Sequence, residues 1–204
     1  MPTRFLPSAP LRVSSLNAHL VLLALLSGAT CSGQVMPADP RFRARSVAPE
    51  KPTPAPALQT RGAGVAVAGC PFFKNNRADD SRFTYRAVGA LGPAPRFAVL
   101  EQERYHGSAY LLLPPGGCAP YQLRGYPMRH RNVIVCFNEE RDTDAHDTLY
   151  VWRVTPSQKV VRTQTVPLAK AQTHARGRDR VWFSPDGRVV YFQSVRGQYF
   201  ACKL

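Results

Sequence analysis

Residues 178–204, RDRVWFSPDGRVVYFQSVRGQYFACKL, constrain the fold more than any other part of the chain. Val181-Trp182-Phe183 and Val189-Val190-Tyr191-Phe192 are β-branched and aromatic runs, separated by Ser184-Pro185-Asp186-Gly187. Proline presets φ for a turn, aspartate can bond its own backbone, and glycine accepts a positive φ, so the stretch predicts a tight hairpin. A second turn at Arg196-Gly197 returns the chain into residues 198–202. The result is three short antiparallel strands at the C-terminus.

The rest of the chain after residue 65 repeats this pattern. Residues 62–70 read as a first strand. In 82–88, Phe83, Tyr85 and Ala87 alternate with Arg82, Thr84 and Arg86, which is the period of a half-buried strand. Residues 97–103 and 109–113 form a further pair around Arg104-Tyr105-His106-Gly107. The run 114–120, PPGGCAP, is incompatible with regular structure. Residues 132–137 (NVIVCF) and 148–154 (TLYVWRV) are nearly continuous in apolar side chains, which predicts burial on both faces. No ten-residue window holds a helical period. The expected fold is all-β: a single small antiparallel domain, a sandwich or a partial propeller-like meander, over residues 66–204.

The decapeptide FSPDGRVVYF at 183–192 resembles the TolB-type WD-like β-propeller repeat, whose blades carry SPDG ahead of a β-branched and aromatic strand. The resemblance covers a single copy. It implies an envelope protein that scaffolds or binds others. About 140 residues supply roughly two or three blades against the usual four to eight, so a closed propeller is not expected.

Positions 1–65 read as address and spacer. Arg4 and Arg12 precede an apolar run over 20–26 and a small-residue exit, Ser27-Gly28-Ala29-Thr30-Cys31, as in a secretory signal peptide at 1–31. The run is too short to span a bilayer, which takes about 20 apolar residues. Cys31 is a lipidation candidate, although Gly28-Ala29-Thr30 lacks the leucine of a lipobox. Residues 32–65 carry six prolines and five basic side chains without apolar periodicity, which predicts an extended Pro-rich linker. The expected location is the periplasm or cell envelope, with a membrane anchor only through Cys31.

Export implies an oxidising compartment. Cys70, Cys118, Cys136 and Cys202 are even in number and contain no C-x-x-C, so they predict two disulfides of unassigned connectivity. Asp142, Asp144 and Asp147, in the acidic loop between the two most apolar strands, are candidate ligands for Ca²⁺, a cation that takes six to eight oxygens; the loop lacks the glycine and terminal glutamate of an EF-hand.

The net charge of +14 favours acidic partners. Basic clusters lie at Arg124, Arg129, His130 and Arg131, flanked by Tyr121 and Tyr126, and at Lys170, His174, Arg176, Arg178 and Arg180. Of these Arg129, His130, Arg131, Arg176, Arg178 and Arg180 are the candidate binding residues. An exported protein seldom meets nucleic acid, so an acidic protein, glycan or lipid headgroup ranks ahead of it. Glu101, Glu103 and His106, or Asp142, Asp144 and His146, would carry a hydrolase, but neither set has the further partners that acid–base catalysis needs. Gly107-Ser108-Ala109 is not a nucleophile elbow. The expected function is therefore non-enzymatic: an exported envelope protein that binds another protein, in one form an inhibitor or immunity-type protein. An envelope module for anionic glycan or lipid is the first alternative and a small periplasmic hydrolase the second.

Overall fold

The computed structural model describes residues 34–78, 82–105, 107–138, 148–174 and 179–204. The C-terminal hairpins form as the turn chemistry requires. Strands β13 (Val181–Phe183), β14 (Val189–Gln193) and β15 (Tyr199–Lys203) pair antiparallel. Between β13 and β14, Gly187 takes φ +74° and its N–H donates to the Ser184 carbonyl at 2.9 Å. The Asp186 carboxylate accepts from the Ser184 hydroxyl (2.5 Å) and the Arg188 N–H (3.1 Å), the Asx geometry that aspartate brings to a turn. The Ser184 bond, with the Arg188 N–H behind it, holds the carboxyl below its ordinary pKa.

The protein is all-β. Among the described residues, fifteen strands lie in four antiparallel sheets. The first sheet orders β2 (Leu58–Arg61), β3 (Gly64–Val67) and β4 (Phe73–Lys74). The second is the meander β5 (Phe83–Leu91), β6 (Phe97–Arg104), β7 (Gly107–Leu113), β8 (Tyr121–Leu123). The third is the meander β9 (Met128–His130), β10 (Val133–Phe137), β11 (Thr148–Val154), β12 (Val160–Pro167). The fourth is β13-β14-β15 completed by β1 (Val35–Pro37), which pairs with β15 so that Val35 faces Cys202.

Burial follows the side-chain period. All five residues of β10 are buried, as its apolar run predicts; in β11, Leu149, Tyr150, Val151 and Val154 are buried while Trp152 and Arg153 are half-exposed. The main core joins the second, third and fourth sheets around Phe97, Ile134, Phe183 and Phe192. A smaller cluster packs Val65 and Val67 of β3 on Leu100, Leu111 and Leu113, with Tyr85 and Ala87 against it. Arg86, on the opposite face of β5, points to solvent and pairs with Glu103 at 3.6 Å.

The Pro-rich stretch corrects the linker expectation. All described residues belong to one compact unit, and the domain does not begin at 66. Past β1, the 3-10 turn Pro40–Arg45 is capped by Asp39 and lays Phe42 on the outer face of the fourth sheet, stacked on Tyr191 at 4.2 Å. Arg43 sits 4.5 Å over the Trp182 ring. The chain then touches an edge strand of three sheets in turn: Val47 bridges Phe183 of β13, Glu50 bridges Arg129 of β9, and Thr53 bridges Ala90 of β5. Each bridge is a pair of backbone hydrogen bonds of 2.7–3.0 Å. An extended proline-rich chain turns once per three residues, so every third residue presents its amide and carbonyl to the next edge. Exposed edges are a liability that needs cover, and this segment covers three of them. The contact is tight: a Cβ on Gly89 would come within 2.3 Å of the Thr53 carbonyl oxygen. The close approach and a backbone φ of +146° therefore both demand glycine there.

Candidate functional site

A groove of about 460 Å³ opens where the strap leaves the second sheet. One wall is residues 54–58. A second is the end of β3 with the turn to Cys70. The third is the Pro114-Pro115-Gly116-Gly117 turn after β7, and Ala90 and Ala98 line it as well. Local sequence sets these walls. Pro54, Pro56, Pro114 and Pro115 have no N–H, and the pyrrolidine ring fixes φ at each of them. The Cys70–Cys118 disulfide, with Cα atoms 5.4 Å apart, ties the second wall to the third.

Four of the wall N–H groups are spent within the walls. Ala68 N–H donates to Ala57 O (3.1 Å), Leu58 N–H to Ala55 O (3.0 Å), Cys70 N–H to Val67 O (3.0 Å) and Gly117 N–H to Pro114 O (3.0 Å). The inner surface is thus dominated by apolar carbon. Arg96 is the charged side chain among the lining residues, and its Nη1 donates to Thr53 Oγ1 at 3.3 Å. A concave apolar lining with one convergent charge is the pattern of a ligand site, and its volume falls within the usual ~300–1,000 Å³.

The sequence-derived candidates are placed elsewhere. Of the four domain cysteines, Cys70 and Cys118 are bonded, while Cys136 and Cys202 are buried and not in a disulfide. The expectation of two disulfides is corrected to one. Cys136 lies in β10 of the third sheet and Cys202 in β15 of the fourth, both inside the main core. Burial raises the Cys202 thiol to about 11. Both therefore behave as small apolar side chains.

In the first basic cluster Arg124 and Arg131 are exposed and His130 is half-buried, while Arg129 is turned inward. Arg129 is 7% exposed, its Nε donates to the Arg131 carbonyl at 2.6 Å, and a Cβ on Gly92 would lie 1.8 Å from its Nη1. Burial lowers its pKa and the Glu50 charge partly offsets this. His130 Nε2 lies 3.2 Å from the Pro185 carbonyl and Arg131 turns at φ 54°. Arg180 donates to Gln193 at 2.7 Å. Arg176, Arg178, Cys31, His106, His146, and the calcium candidates Asp142, Asp144 and Asp147 lie outside the described residues. Among the described residues, no group of three His, Cys, Asp or Glu side chains converges, and no helix is long and apolar enough to cross a membrane. Glu101 accepts from Ser108 (2.9 Å) and Tyr110 (3.3 Å) and lies 4.0 Å from Arg86, in a cross-strand polar network.

His174, assigned by sequence to a basic cluster, is stacked flat on Phe137 at 3.9 Å and bridges Ser194. His174 Nε2 and Ser194 Oγ are both buried without a hydrogen-bond partner among the described residues. Burial, helped by the Arg180 charge, lowers the imidazole pKa from 6.5 to about 4. The unfolded chain then binds more protons than the native one between those values, so stability is full above pH 6.5 and declines as pH falls toward 4. Wild type should lose up to about 3 kcal/mol across this window relative to His174→Phe, on the scale of about 1.36 kcal/mol per unit. Urea midpoints at pH 7, 5.5 and 4 check this; parallel pH profiles for the two proteins would refute it.

Sequence reasoning missed the groove because its walls come from three distant segments. The available signals were the Pro/Gly runs at 54–56 and 114–117, each close in sequence or space to a cysteine that is now seen to be bonded. No protein-family model, no curated protein and no solved structure matches this chain.

Proposed function

We propose that this chain is an exported, non-enzymatic binding module of the cell envelope, with the groove beside the Cys70–Cys118 disulfide as its binding surface. The observation that carries the reading is the preformed apolar cleft, braced by a disulfide and four prolines and charged at one end by Arg96. Rigid walls reduce the ordering cost of binding. The signal-like segment 1–31 and the disulfide support an oxidising, exported location. Four antiparallel sheets, three of them four-stranded, support extending the resemblance at residues 183–192 to a small propeller-like arrangement.

Of the partners expected from sequence, the cleft chemistry favours an anionic, lipid-like ligand. A second reading, a protein seated across the cleft, draws on Phe72, a large side chain 42% exposed two residues beyond Cys70. Envelope extract passed over the immobilised, oxidised chain at about 150 mM salt and at roughly three times that concentration separates the two. A small amphiphile retained at both salts and identified by mass spectrometry is the expected result. One stoichiometric protein at both salts would select the second reading. Only polyanions, lost at high salt, would mean that the positive charge and not the cleft is the function.

A further inference from the structure

We propose, resting on the binding reading above, that the groove takes an apolar chain bearing a single carboxylate, with the carboxylate on Arg96. The walls dictate the chain. Four of their N–H groups are paired within the walls and the four prolines have none, so the walls offer few donors to a polar ligand, which would lose water for little return. The volume dictates the size. A water-sized group occupies about 30 Å³, so 460 Å³ holds on the order of a dozen such groups, the size of decanoate.

Arg96 dictates the head. Its guanidinium is held at the Thr53 end by Thr53 Oγ1, and the lining residues contain no carboxylate to neutralise it. A planar guanidinium matches a carboxylate with paired N–H donors, which a neutral or cationic head cannot exploit. The net charge of +14 adds a long-range bias toward anionic ligands.

The test titrates the full processed, oxidised chain by calorimetry with decanoate, octanoate, 1-decanol and decyltrimethylammonium, each below its aggregation limit. Decanoate should bind one to one. Decanol should bind about tenfold more weakly, the value of one charge-assisted hydrogen bond, and the ammonium more weakly still. Octanoate, two methylenes shorter, should lose roughly 15-fold. Arg96→Gln should bring decanoate to the level of decanol and leave decanol unchanged. Ala68→Trp, which places an indole in the groove from an exposed position, should abolish binding of both. Circular dichroism establishes that each variant is folded. If decanoate and decanol bind alike, and Arg96→Gln changes neither, the carboxylate assignment is wrong while the groove remains a binding site. If nothing binds, or if Ala68→Trp leaves affinity intact, the groove reading itself is overturned.

Discussion

A chain beginning at Leu58 should not fold cooperatively, whereas one beginning at residue 34 should. The missing segment carries six backbone hydrogen bonds to the edges of β13, β9 and β5, the whole pairing of β1 with β15, and the Phe42 stack. At about 1 kcal/mol net per hydrogen bond, the three bridges alone contribute on the order of 6 kcal/mol. A domain of this size has roughly 5–15 kcal/mol in total. Loss also leaves four strand edges bare at once, so the shortened chain should aggregate. Thermal melts and amide spectra of the two chains decide the matter. A shortened protein with the same melting temperature and dispersed resonances would show the segment to be a passive tail.

Breaking the Cys70–Cys118 bond by double substitution to serine should cost about 4 kcal/mol, from closure of a loop with a sequence separation of 48. It should also loosen two walls of the groove, so ligand affinity should fall along with stability. Denaturation in urea with and without reductant reads the first effect, and titration of the folded double variant reads the second. The bond is the site that matters: Cys136 and Cys202 are buried thiols, and Cys202→Ala should move the urea midpoint much less and leave its response to reductant as in the wild type. Equal midpoints for the oxidised and reduced wild type would sink the prediction.

Much of the fold was legible where short-range chemistry decides it. Ser184-Pro185-Asp186-Gly187 encodes its own turn, and the alternation from Arg82 to Ala87 separates the solvent-facing Arg86 from Tyr85 in the second cluster. The apolar run Val133–Phe137 is buried throughout. Strands β8 and β9 were not legible, because each is three residues long and, unlike the equally short β13, neither adjoins a turn motif such as Ser184-Pro185-Asp186-Gly187. The candidate site was legible only in fragments. Prolines and a pair of cysteines marked its walls, but nothing local to Arg96 shows that Thr53, 43 residues away, holds it at the groove.

Local sequence by itself determined the all-β class, the C-terminal hairpins and which faces of the long strands point inward. These depend on side-chain alternation and turn stereochemistry over fewer than about ten residues. Tertiary structure alone decided the rest. Residues 46–54 have no periodicity of their own, and only the edges of three sheets, all distant along the chain, give their amides a partner. Tertiary packing likewise pairs Cys70 with Cys118, while Cys136 and Cys202 remain thiols. It also buried Arg129 and half-buried His174 with its Nε2 out of water, because a residue's charge is visible in sequence and its desolvation is not.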